Sequence, residues 1–186
     1  MKSRSLILLL LLLTGHLALL AQTSRPISAD SLDYRKDSNS YLLVLKAGQP
    51  VIASLNAFMA KEKLPGAYFT GIGAVKNTEV AYYNIDQRKY VYKRFPASME
   101  VLAFNGNMGY FDNQPIVHPH ITLGASDYTV HGGHLKEAEV SLVLEIFITP
   151  VSKTIEREWN DHFPELRTMK PVKDSTRALL EPAPGK

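Results

Sequence analysis

Hydrophobic residues recur along this chain at two periods, behind a dense apolar block at the start. Tyr41 to Leu45 is a compact apolar run and reads as a first strand. Gly48 and Pro50 then open a stretch in which Val51, Ile52, Leu55, Phe58 and Met59 fall at helical spacing, predicting one helix with a single apolar stripe. Proline suits an early helical position because its missing N–H has no intrahelical partner there. Leu64-Pro65-Gly66 stops the helix.

From Tyr68 the period falls to two. Tyr68 to Ile72, Thr78 to Asn84, Tyr90 to Phe95 and Met99 to Phe104 are predicted strands, separated by turn residues such as Asp86 and Pro96. A Gly- and Asn-rich loop is expected from Asn105 to Pro115, followed by strands Ile116 to Leu123, Tyr128 to Leu135 and Val140 to Ile148, with Ile155 to Trp159 as a further edge strand. Consecutive short strands joined by tight turns imply antiparallel pairing, and one long helix must cover a face of that sheet. The fold class is α+β.

The two ends differ from this middle. Lys2 and Arg4, the leucine run Leu6 to Leu13 and the small-residue exit at Ala18 to Ala21 describe a secretory signal peptide over residues 1–21. Its apolar part, about 17 residues interrupted by Thr14, Gly15 and His16, is marginal for crossing ~30 Å of hydrocarbon, so cleavage and export are expected rather than a retained anchor. Residues 22–39 are polar and aperiodic and read as a flexible leader, residues 40–168 as the domain, and 169–186 as a loose, proline- and charge-rich tail. The expected location is periplasmic or extracellular, with no membrane span after cleavage.

Charge changes the picture once that signal is removed. The whole chain carries 21 basic and 18 acidic residues; the first 21 positions hold two of the basic ones, which leaves 19 against 18. A nearly neutral protein lacks the cationic field that neutralises phosphates, so nucleic acid is an unlikely partner of the exported form. With no cysteine, stability must come from packing, from a metal or from self-association, and no disulfide contributes. A chain of 186 residues builds one such domain.

The chemistry concentrates between residues 118 and 134, which hold four of the six histidines. His118 and His120, two apart on a strand, project from the same face. A two-residue turn centred on Ser126 and Asp127 would pair residue 120 with 133 and leave His134 on the opposite face. One extra residue, expected as a bulge at Gly132-Gly133, sets His134 opposite His120. Cross-strand Cβ atoms then lie ~5 Å apart, close enough for three imidazoles to converge on one ion at ~2.1 Å each. Three neutral imidazoles suit Zn²⁺, and also Ni²⁺, Fe²⁺ or Cu²⁺, and leave a fourth position open. His131 is expected to point away. Glu145, inside the run Leu142 to Ile148, either orients a ligand histidine from behind or faces solvent at an edge; Glu100 poses the same question.

The string IVHPHITLGASDYTVHGGHL, from Ile116 to Leu135, closely resembles the signature of the plants-and-prokaryotes-conserved (PPC) domain. Tyr68 to Val75, Glu100-Val101-Leu102 leading to Asn105-Gly106-Asn107, and Glu145 to Ile148 match in the same order, so the similarity spans about residues 40–166. The resemblance implies a mixed fold with an antiparallel sheet, assembly as a homotrimer, and a metal at His118, His120 and His134. It also implies a DNA-binding label, because in plants the domain follows an AT-hook; no Arg-Gly-Arg-Pro hook stands in this sequence. The fold is similar to that of acetolactate decarboxylases and a zinc ester hydrolase. That leaves three readings open: a trimeric metal-binding assembly module, a metal-dependent lyase or hydrolase of a small carboxylate or ester, and a DNA binder.

Overall fold

The structure, a computed structural model, describes residues 27–171; the expected signal peptide and most of the expected C-terminal tail lie outside the described residues. A short 3₁₀ turn at Ala29–Ser31 leads into β1 (Asp33–Asp37), β2 (Ser40–Lys46), α1 (Val51–Glu62), β3 (Ala67–Asn84), β4 (Lys89–Phe95), β5 (Met99–Phe111), β6 (Gln114–Gly124), β7 (Val130–Pro150), β8 (Glu156–Trp159) and β9 (Arg167–Lys170). Apart from one parallel pairing of β8 with β5, the ladders are antiparallel, and the class is α+β as expected. Among the described residues no helix is long and apolar enough to cross a membrane.

The ladders close on themselves. β3 pairs with β5 and β7, and β6 pairs with the same two strands, so β3, β5, β6 and β7 form a ring. β2 and β1 extend it beyond β7, and β4 pairs with the distal half of β3. The predicted helix buries Val51, Leu55, Phe58 and Met59 of its stripe in one core cluster with Leu43, Leu45, Leu144, Ile146 and Ile148, and leaves Ile52 half-buried. Each such side chain contributes roughly 1.5–3 kcal/mol by leaving water. Pro50 stands at the N-cap and offers no side-chain acceptor. Glu137 from β7 fills that role, its carboxylate accepting from Ile52 N at 2.9 Å and Ala53 N at 3.3 Å. Lys63, left-handed at φ 51°, closes the other end.

Four expectations change. The strands predicted separately at 68–72 and 78–84 are one strand, β3, and those at 128–135 and 140–148 merge into one strand, β7, which starts only at Val130; register shifts after Gly71, Gly73, Lys76 and Glu79 bend them where the period breaks. Gly73 is required at such a bend, since a Cβ there would meet Val143 O at 2.1 Å. The loop expected at 105–115 is mostly strand, because Asn105, Gly106 and Asn107 pair with His120, Pro119 and His118. The leader expected at 22–39 contains β1, an edge strand whose polar sequence hid it. Tyr34 packs edge-on against Phe58, donates to Glu62, and holds β1 in place. Met169 and Lys170, expected in the tail, instead complete β9 against Arg157 and Glu156.

Candidate metal centre

Along β6 the residues alternate: Val117, Pro119, Ile121 and Leu123 are buried, and His118, His120 and Thr122 lie on the other face. His120 pairs directly with His134 on β7. The expected partnership holds, but its cause is different. The ladder from Gly124↔Val130 to His120↔His134 is regular, with no bulge at Gly132-Gly133. The extra residue sits in the turn: Ala125 and Thr129 bond at 2.9 Å around three residues, with Tyr128 left-handed at φ 64°. Asp127 braces it by accepting from Thr129 N at 3.0 Å. Gly132 serves close approach, because a Cβ there would lie 2.6 Å from Ile121 O.

Each of His118, His120 and His134 offers a ligand nitrogen, and these atoms all lie within 4.8 Å of one another. Ring centroids are 5.0 Å apart for His118–His134, 5.5 Å for His118–His120 and 5.6 Å for His120–His134. Burial, with Arg157 and His120 nearby, lowers the pKa of His118 from 6.5 to about 4. Burial, followed by His118, His120, Lys136 and Arg157, does the same to His134. Both rings are therefore neutral at pH 7, the state in which imidazole binds metal. His134 Nδ1 is buried without a hydrogen-bond partner in the protein, and its ring stacks on Tyr90 at 5.5 Å. An unsatisfied buried nitrogen among neutral imidazoles fits a divalent ion, and these three residues can hold one.

His131 points elsewhere, as expected, stacking on Phe95 at 4.9 Å. The two glutamates do not support the triad. Glu145 is exposed, pairs with Val44 and Ile72, and lies eleven residues along β7 from His134. Glu100 is exposed opposite Gly124, about 13 Å along β6 from His120. Strand alternation turns both outward, away from the buried Leu144, Ile146 and Val101.

What stands beside the triad instead is Arg157. It is the buried residue of β8, and its guanidinium donates to Asn107, the cross-strand partner of His118. Together with Tyr90, His118, His134 and Trp159 these residues line a cavity of about 690 Å³. The loop after β8 is pinned to β4 and β3: Tyr90 N donates to Glu165 at 3.1 Å and the Tyr83 hydroxyl to Pro164 O at 3.0 Å. The sequence contained a hint, since Ile155, Arg157 and Trp159 alternate with glutamates and place a cation among inward positions.

The Plants and Prokaryotes Conserved (PCC) domain matches residues 32–152. The chain belongs to this PPC family. The family match ends before β8, so Arg157 and the β8–β9 hairpin lie beyond it. No curated protein matches the chain. Among solved structures, it is similar to a Bacteroides thetaiotaomicron protein described as a candidate DNA-binding protein, at 28% identity over 75% of this chain and 96% of that one, TM-score 0.71. A PPC protein of Pyrococcus horikoshii aligns at 29% identity over 76% and 96%, TM-score 0.66. A protein of Archaeoglobus fulgidus described as metal-containing aligns at 28% identity over 75% and 98%, TM-score 0.67.

Proposed function

We propose that this PPC-domain protein is exported and binds one divalent ion, Zn²⁺ by donor chemistry, through His118, His120 and His134, working as a homotrimeric binding module. The observation that carries the reading is three ligand nitrogens within 4.8 Å of one another on a paired strand frame, two of them on rings held neutral by burial. The metal-containing relative from Archaeoglobus fulgidus supports it. Bound there, such an ion would supply an open position able to polarise a ligand oxygen. The chain's own residues orient it: Tyr90 backs the His134 ring and the β6–β7 register sets His120 beside it.

Self-association is supported by an apolar outer face. Tyr68, Ile72, Leu102, Leu142 and Phe147 are each more than half exposed, and β3 brings Thr70 and Ile72 opposite Phe147 and Glu145. The cavity beside the triad favours a second reading, a lyase or hydrolase of a small carboxylate or ester. A relative is described as a candidate DNA-binding protein, but 19 basic against 18 acidic residues after the expected signal give that reading no electrostatic support here.

Elemental analysis of the purified protein tests the shared premise. About one ion per chain is expected, lost in His118→Ala; unchanged metal in that variant would reject the site.

A further inference from the structure

Metal binding leaves Arg157 without a role. Its side chain is 8% exposed, and no carboxylate among the described residues lies within ion-pair distance of it. Its two assigned hydrogen bonds go to neutral oxygens, Nη1 to Arg167 O at 2.6 Å and Nη2 to the Asn107 side chain. Nε is buried with no partner at all. A guanidinium has five N–H donors and stays charged, so a buried one without an anion carries an uncompensated desolvation cost.

The carboxylate in the cavity wall is engaged by another donor. Glu165 lines the same cavity but accepts from Tyr90 N. The other charged lining residues are cations: Arg167 lies over the Trp159 ring at 4.6 Å and Lys136 Nζ over Tyr92 at 5.9 Å. Three cations against one carboxylate give the cavity an excess of positive charge, and its walls are partly apolar, including Ile52 and Ile116.

We propose that Arg157 receives the carboxylate of a small organic acid whose apolar remainder lies in this cavity beside the histidines. The inference rests on the metal-centred reading for what the far end of the ligand meets, while the anion seat itself is built by β8. It requires the segment beyond the family match, so a domain ending at residue 152 would lack the seat. The competing role for Arg157 is a strut tying β8 to Asn107 and β9. A strut explains its two bonds but neither the unpaired charge nor the idle Nε.

Calorimetric titration of the full mature chain, metal-free and Zn²⁺-loaded, with acetate, benzoate and inorganic phosphate separates these roles. Saturable benzoate or acetate binding is expected, weakened at least about tenfold in Arg157→Gln with metal content unchanged. Asn107→Asp provides a second route that retains the arginine: its new carboxylate neutralises the guanidinium from within and should weaken binding similarly. No carboxylate binding, or equal affinity in both variants, would overturn the proposal. Phosphate binding that depends on Arg157, with no carboxylate binding, would overturn the carboxylate assignment. Carboxylate binding by a wild-type chain that takes up no Zn²⁺ would sink the metal reading and leave the anion seat standing; Zn²⁺ uptake with no carboxylate binding would do the reverse.

Discussion

His120 and His134 are direct register partners across β6 and β7, and that pairing depends on a turn of three residues, not two. Removing Tyr128 would shorten the turn and slip the register by one, carrying His134 to the opposite face. Metal content of the deletion variant should fall to background. Tyr128→Gly should retain the metal and raise stability by about 1 kcal/mol, because glycine adopts the left-handed angle without the Cβ clash. Elemental analysis of both variants and chemical denaturation of Tyr128→Gly check these statements, and equal metal content in the deletion would contradict the turn's role.

Acid should loosen the metal-free fold in a defined window. His118 and His134 have folded-state pKa values of about 4, below the ordinary 6.5. As pH falls from 6.5 towards 4, the unfolded chain takes up protons that the folded rings refuse. Stability contributed by the neutral rings is full above 6.5 and lost across that interval. Denaturation midpoints of metal-free protein at pH 7, 5.5 and 4 should decline, and decline less steeply in His134→Gln.

Glu137 gives a prediction independent of the site. Its carboxylate satisfies the first N–H groups of α1, which Pro50 cannot cap. Glu137→Ala should cost about 1–3 kcal/mol in thermal or urea unfolding. A loss below a few tenths would mean that water replaces the cap freely.

Phe147→Glu places a charge in the exposed apolar face of β3 and β7. Sedimentation should show the proposed homotrimer in the wild-type chain and monomer in the variant, with circular dichroism unchanged; a variant that still forms trimers would locate the interface elsewhere.

Particular residues explain what the sequence could show. His118 and His120 were readable because spacing by two fixes a common face whatever the surroundings. His134 came out on the correct side from a wrong premise: an extra residue was needed, and both a bulge and a longer turn supply one, but only the turn is present. β1 escaped notice because an edge strand can be polar, and Tyr34 alone marks its inward side. Alternation marks Arg157 as an inward cation of β8 but not as a neighbour of the triad, since its partner Asn107 stands fifty residues away in sequence. Glu145 and Glu100 stood out as charges in apolar runs, yet alternation simply turns them to solvent.

The most direct measurement is titration of the metal-free protein with Co²⁺, followed by visible absorption. Three imidazoles meeting at one ion predict bands that saturate at one Co²⁺ per chain and disappear in His134→Ala. Absence of saturable bands in the wild-type protein, or their persistence without His134, would contradict the account.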